Sequence, residues 1–247
     1  MNILAIYNIK GGVGKTASTV NFAWNALRNN LRVLVWDLDP QGAATWYFRI
    51  EPRLESGVRK LLHKKNTLEK TIRETNYSGL DLLPADFSLR NMDIFLDAEK
   101  KSDRRFRKIL KRLADDYDLI LLDCPPSISL VSENVFYAAD ALLVPTIPTH
   151  LSFHAYDQLK GFIAKMKNVN VSLFPYLYMV DNRKNIHKQF TDRFYQNYSE
   201  GLKTAISYSS VVEKMGIYRA PVEVFDRSSH IAADFRQLWD EIWLRIE

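Results

Sequence analysis

The chain has a single cysteine, Cys124, in 247 residues, so neither an internal disulfide nor a cysteine-built metal centre is open to it. No apolar run approaches the roughly 20 residues that span a bilayer. The opening Met1-Asn2-Ile3-Leu4-Ala5-Ile6 has no basic region ahead of its apolar stretch, which a secretory leader would carry. There is no repeat, no low-complexity tract and no Gly/Ser linker. These absences lead us to expect a cytoplasmic protein folded as one domain over residues 1–247. What is present is globular in composition, with 47% hydrophobic and 26% charged residues. A net charge of +5 is compatible with a polyanionic partner but does not demand one.

Short apolar runs alternate with longer amphipathic stretches, the pattern of βα units in an α/β fold with a mostly parallel twisted sheet and helices on both faces. Strands are expected at Ile3–Tyr7, Arg32–Trp36, Leu80–Pro84, Asp118–Asp123, Ala141–Pro145 and 171–180, with Pro175 a potential break in the last. A helix is expected over Thr16–Asn29, with Val20, Ala23, Trp24 and Leu27 at helical spacing. Another, over Ser229–Ile246, carries Phe235, Leu238, Trp239, Ile242 and Trp243 on one stripe.

The chemistry concentrates where the first strand hands over to the first helix. Tyr7-Asn8-Ile9-Lys10-Gly11-Gly12-Val13-Gly14-Lys15-Thr16 has the strand–turn–helix context of a phosphate loop. Its glycines let backbone N–H groups turn inward round a phosphate, where a Cβ would obstruct. The helix start adds unsatisfied N–H groups and a positive dipole end. Lys15 can reach β- and γ-phosphate oxygens, and the Thr16 hydroxyl can ligate Mg²⁺. Mg²⁺ also needs one or two carboxylates nearby. Asp123, after a run of apolar residues, is the expected Walker B acid, holding a metal-bound water. Asp37 and Asp39 supply further carboxylates at the end of the second strand, although an Asp before a proline can equally cap a turn. Cys124 reads as a small buried residue rather than a nucleophile.

The strict phosphate-loop pattern fails at its first position, Ile9, and carries an extra lysine, Lys10. Lys10-Gly11-Gly12-Val13-Gly14-Lys15-Thr16 resembles the deviant Walker A motif of the ParA/MinD family of P-loop ATPases, and its partitioning branch most closely. Asp37-Leu38-Asp39-Pro40-Gln41-Gly42, Asp123-Cys124-Pro125-Pro126 and Ala139–Thr146 match further family segments. The resemblance covers residues 2–150 well and is looser beyond, at Met179–Arg183 and Arg219-Ala220-Pro221.

That resemblance implies ATP and Mg²⁺ as ligands, with Gly11, Gly12, Val13, Gly14, Lys15, Thr16 and Ala17 round the nucleotide. It implies a homodimer that closes across two ATP molecules and a slow ATPase stimulated by a ParB-like or other activating partner. Asp39 would orient or deprotonate the attacking water, while Thr16, Asp37 and Asp123 would serve the metal. Lys10 would reach the opposite nucleotide across the dimer, unless it is a plain surface lysine. Ala17 stands where many relatives have a hydroxyl, a loss of about 0.5–1.5 kcal/mol of nucleotide affinity. Ser18 and Thr19 point elsewhere on the helix. Asp181 and Asn182 are candidates for the base edge or simply loop residues.

Relatives divide by whether the ATP-bound dimer attaches to DNA or to membrane. Over residues 238–247 three acids oppose one arginine, which anionic lipid would repel, so no membrane partner is expected. Arg183, Lys184 and Lys188, with Arg193 nearby, are the candidate contacts to non-specific DNA, and bound DNA would place the protein on the nucleoid. A second basic run, Asp103–Leu113, buries Phe106, Ile109, Leu110 and Leu113 and turns its cations outward, the usual form of a solvated face. The leading expectation is an ATPase that positions or segregates a cargo on DNA. The alternatives are a regulatory ATPase of a protein complex with little DNA affinity and, last, a metabolic P-loop enzyme.

Overall fold

The computed structural model describes residues 1–54, 57–63, 65–98 and 104–247. Its strands are β1 (Asn2–Ile6), β2 (Val33–Asp37), β3 (Arg73–Glu74), β4 (Leu80–Leu83), β5 (Leu119–Asp123), β6 (Ala141–Thr146), β7 (Ser172–Val180) and β8 (Ile206–Ser207). The first helices are α1 (Lys15–Arg28), α2 (Ala43–Tyr47), α3 (Gly57–His63), α4 (Lys65–Thr71), α5 (Met92–Asp97) and α6 (Arg105–Leu110). They are followed by α7 (Leu130–Ala138), α8 (His150–Lys165), α9 (Asn185–Asn197), α10 (Ser210–Tyr218), α11 (Val222–Phe225) and α12 (His230–Ile246).

Among the described residues the strands form one sheet in the order β3-β4-β2-β5-β1-β6-β7-β8. Every neighbouring pair is parallel except β3 with β4. The expected strands are all present, and the two-residue β3 and β8 are the additions, too short to show a period in sequence.

The strands read as unbroken apolar runs because both faces are covered. Ile3, Ala5 and Tyr7 of the first strand region enter one core with Leu34, Trp36, Ile120, Leu122, Leu142 and Val144. Leu4 and Ile6 point the other way, joining Val33, Val35, Leu119, Leu121 and Leu143. The second core is closed by α1 and α12. Phe22 meets Phe235 at 6.1 Å and Trp239 at 6.0 Å between ring centroids. Each such buried aromatic contributes roughly 1.5–3 kcal/mol by removal from water. Phe235, Leu238, Trp239 and Ile242 therefore serve the interior. No helix among the described residues is long and apolar enough to cross a membrane.

Pro175 does not break β7. The Pro175 carbonyl accepts from the Leu202 N–H at 2.8 Å, on the flank that β8 reaches only at Tyr178 and Val180. N–H and C=O of one strand residue point to the same side, so the missing donor falls where no partner strand asks for it. Beyond it, Met179 has φ of 58° and the register with β8 shifts. This bulge sits next to the phosphate loop, as bulges near functional sites do.

Candidate nucleotide site

The strand order sets the C-terminal ends of β1, β2 and β5 side by side. Asp37 and Asp123 fall at the same register position on adjacent strands, level with Ile6 at the end of β1. The loop after β1 is pinned at its entry by Asn8, whose Nδ2 donates to the Pro145 carbonyl at 2.8 Å and whose Oδ1 accepts from the Lys10 N–H at 2.9 Å. Gly12 and Gly14 take φ of 70° and 92°, conformations that glycine adopts without cost. Gly14 also has no room for a side chain, because a Cβ there would lie 2.1 Å from the Tyr178 ring.

The curled loop leaves its donors free. After Lys10, the first backbone N–H to find an acceptor among the described residues is that of Ser18, on the Gly14 carbonyl at 2.9 Å. Residues 11–16 thus present N–H groups at a helix start with nothing inside the chain to satisfy them, an anion cradle. The Lys15 ammonium, buried beneath, donates to the Lys10 carbonyl at 3.2 Å and closes the curl. Burial pulls its pKa down, while Asp123 and Asp39 oppose that fall.

Behind the cradle stand the acids. Asp123 is fully buried: Oδ1 accepts from the Thr19 hydroxyl at 3.1 Å, and Oδ2 has no partner among the described residues. Burial, then the neighbouring Asp37, pushes its pKa up, with the Thr16 and Thr19 hydroxyls opposing. Asp37 is held differently. Its Oδ2 accepts from the Thr45 N–H and hydroxyl at 2.8 and 2.7 Å, and its Oδ1 from the Asp39 N–H at 3.2 Å. Burial raises its pKa as well. Asp39, half-buried at the rim, accepts from the Gln41 N–H at 2.9 Å through Oδ1 alone. Cys124 is buried beside them, its thiol pushed up by burial, consistent with a packing role.

A metal-bound triphosphate fits this donor set. A buried carboxylate oxygen without a partner needs a proton, a water or a cation, and the N–H cradle and buried lysine beside it need an anion. The structure brings Lys15 and Thr16 at the start of α1, Asp37 and Asp39 at the end of β2, and Asp123 at the end of β5 to one place. Lys10 lies farther out, half-buried, its Nζ donating to Ser152 Oγ of α8 at 3.2 Å.

The residues that sequence reading missed are the supports. Thr19 and Ser18 look idle on the helix, yet Thr19 holds Asp123 and Ser18 accepts from the Tyr176 hydroxyl at 2.7 Å. Thr45 had one signal, its position in the helix that follows the Asp37–Gly42 turn. Tyr178 and Ser152 had none, since their contacts span more than a hundred residues of chain.

The DNA candidates lie on the loop after β7 and on α9. Arg183 is 81% exposed but folds onto Asp181, with Nε and Nη2 at 2.9 and 3.0 Å from the carboxylate oxygens. Lys184 Nζ is 3.9 Å from the same carboxylate, and Lys188 is exposed on α9. These partners hold the Asp181 pKa down at about 2. Asp181, Asn182 and Arg183 line a 490 Å³ recess with Ser207, Tyr208 and His230.

A mostly parallel sheet with a glycine cradle at the first strand and acids ending two others defines a P-loop nucleoside triphosphatase fold. The AAA domain family matches residues 1–174. Sporulation initiation inhibitor protein Soj of Bacillus subtilis is 30% identical, over 97% of this chain and 97% of that protein. Chromosome partitioning protein ParA of Myxococcus xanthus is 31% identical, over 77% of this chain and 69% of its own length. Among solved structures, an ATP complex of McdA from Cyanothece superposes with a TM-score of 0.86 at 18% identity, covering 98% of this chain and 96% of that one. The chain belongs to the ParA/MinD family of P-loop ATPases.

Proposed function

We infer that this protein is an ATP-driven positioning ATPase that dimerises on ATP–Mg²⁺ and, as a dimer, binds DNA without regard to sequence. The observation that carries the reading is a glycine cradle of unsatisfied N–H groups with buried Lys15 beneath it and buried Asp123 beside it, Asp123 Oδ2 left without a partner among the described residues. Bound ATP–Mg²⁺ supplies the transferable γ-phosphoryl group and the charge that offsets the buried acids. Lys15 and the N–H groups of residues 11–16 would hold the phosphates, and the Thr16 hydroxyl would serve the metal. Asp123 would serve the metal side through Oδ2, while Thr19 fixes its other oxygen. Asp37 supports this shell from behind: its Oδ1 accepts from the Asp39 N–H and keeps that turn in place, while Thr45 holds its Oδ2. Asp39 keeps one carboxylate oxygen clear of the chain to orient the attacking water.

A second copy of the chain is the partner that the exposed apolar residues round this site favour. Ile128, Leu151 and Ile186 follow the C-terminal ends of β5, β6 and β7 and are 46%, 72% and 52% exposed. Leu151 adjoins Ser152, which holds Lys10, and Pro126 lies against Gly11. A partner protomer seated here would cover these side chains and receive Lys10. A ParB-like or other activator would act on that dimer.

One observation favours the second reading, a regulatory ATPase with little DNA affinity: Asp181 already engages Arg183 and Lys184. A duplex mobility shift with and without ATP separates the two. Wild type should shift more strongly with ATP than without it, with affinity falling steeply as salt rises. Lys15→Ala should bind no ATP and lose the ATP-stimulated part of the shift, and Arg183→Glu with Lys184→Glu should keep ATP but lose that same part. An unshifted wild type would sink the DNA reading.

A further inference from the structure

The cations of the second basic run do not all dissolve into a solvated face. Asp103 lies outside the described residues, but Arg104, Arg107, Lys108 and Lys111 line a 430 Å³ cavity together with Tyr137 and Asn168. Phe106, Ile109, Leu110 and Leu113 are buried behind them, as the sequence indicated. The four cations follow helical spacing, so they share one face, about 10 Å long at ~1.5 Å per residue. Among the described residues none of the four has a carboxylate partner, and no carboxylate lines the cavity. Like charges at this spacing repel, and among the described residues no ion pair offsets them. The contrast with Arg183 and Lys184, which share Asp181, is direct.

The cavity also has a definite place. Tyr137 ends α7 just before β6, and its hydroxyl donates to the Lys167 carbonyl at 3.0 Å. Asn168 sits in the turn before β7, and the 3-10 segment Lys111–Leu113 leads into β5. All three mark the N-terminal edge of the sheet, at the opposite pole from the phosphate loop.

We propose that this cavity is a second polyanion site, which seats the phosphate backbone of duplex DNA without help from nucleotide. The lining is two guanidiniums, two ammoniums and an amide, all able to donate, with the Tyr137 phenol held on the Lys167 carbonyl and no exposed aliphatic side chain among them. Protein–protein interfaces have an apolar core that this surface lacks. Duplex DNA offers about one charge per 3.4 Å of axis on each strand, so a 10 Å cationic face meets about three phosphate charges of the strand it faces. Being at the far pole, the site is complete in one protomer and indifferent to dimerisation. A face-to-face dimer would carry two copies pointing away from each other, one duplex segment to each. The proposal rests on the DNA-binding reading above only for the identity of the polyanion.

The test is fluorescence anisotropy of a labelled duplex with the full chain and no nucleotide, across a salt series. Wild type should bind with log K falling linearly in log salt, by about 0.9 for each phosphate contact. Arg107→Glu with Lys111→Glu should weaken binding at least about tenfold and flatten the salt slope, since contacts are lost. The milder Arg107→Gln with Lys111→Gln should do the same in part, and both should keep the wild-type melting temperature. Wild-type affinity in the Glu pair would overturn the proposal. So would capture of tripolyphosphate or of anionic vesicles by these residues with no duplex binding. Absence of an ATP-stimulated shift in wild type would instead strike the functional reading and leave this site standing.

Discussion

The Thr19 hydroxyl, on the second turn of α1, donates to the fully buried Asp123 carboxylate at 3.1 Å while also reaching the Lys15 carbonyl at 3.1 Å. A buried threonine thereby fixes which oxygen of the Walker B acid stays available to the metal side. Thr19→Val keeps the shape and deletes the donor. The folded, nucleotide-free protein should lose about 1–3 kcal/mol, the cost of an unsatisfied buried acceptor. Urea unfolding measures it, and a midpoint equal to wild type would mean that the contact is incidental.

The acid pair makes the nucleotide-free protein sensitive to pH. Folding raises Asp37 to about 6 and Asp123 to about 8, in both cases first through burial. A carboxyl with a raised folded pKa contributes stability that is fully present below its unfolded value and lost as pH climbs through the folded one. The apo protein should therefore melt at progressively lower temperature from about pH 4 up to about pH 8. Asp123→Asn removes the charge and should flatten that decline, becoming more stable than wild type at the alkaline end. Parallel melting curves for the two proteins across this range would contradict the assignment.

Gly14 and Tyr178 make a sterically exclusive pair, and their coupling is measurable. Gly14→Ala places a Cβ 2.1 Å from the Tyr178 ring and at φ of 92°, so two penalties add. Overpacking costs about 1–3 kcal/mol and the left-handed backbone about 1–2. Tyr178→Ala in the same chain should recover the first and leave the second. A double-mutant cycle with no coupling energy would show that the ring moves aside freely.

These cases mark where the sequence was legible. The glycines, Lys15 and the strand-ending acids announce themselves because each needs a particular residue type at a fixed distance from a strand end. Strands buried on both faces announce themselves as apolar runs. The supports do not, because Thr19, Thr45, Ser152 and Tyr178 are ordinary residues whose partners lie far along the chain or on another element. The Arg183–Asp181 contact is two residues long, yet an exposed arginine in a loop has many rotamers, and composition does not choose among them. Likewise, the basic run on α6 reads alike in sequence whether or not Tyr137 and Asn168 close a cavity beside it.

Lys10 offers the sharpest test of the dimer. In the free protomer its ammonium is spent on Ser152 Oγ at 3.2 Å, a buried hydroxyl that also accepts from the Thr149 hydroxyl at 3.1 Å. Lys15 occupies the inside of the loop, so two lysines five residues apart do not serve one phosphate. Two triphosphates brought face to face repel, and a lysine offered from each side offsets that charge. Lys10 must first leave Ser152, a neutral-hydroxyl bond worth about 1.5–3 kcal/mol to a charged donor. Lys10→Ala should bind ATP almost as wild type does, stay monomeric, and lose hydrolysis and nucleotide-dependent DNA binding together. Ser152→Ala should act in the opposite sense, releasing Lys10 and lowering the protein concentration needed for dimerisation by about tenfold or more. Light scattering with a non-hydrolysable ATP analogue reads both. A Lys10→Ala dimer at wild-type concentration would reduce Lys10 to a surface lysine, and a Ser152→Ala protein no readier to dimerise would show that the intramolecular contact sets no barrier.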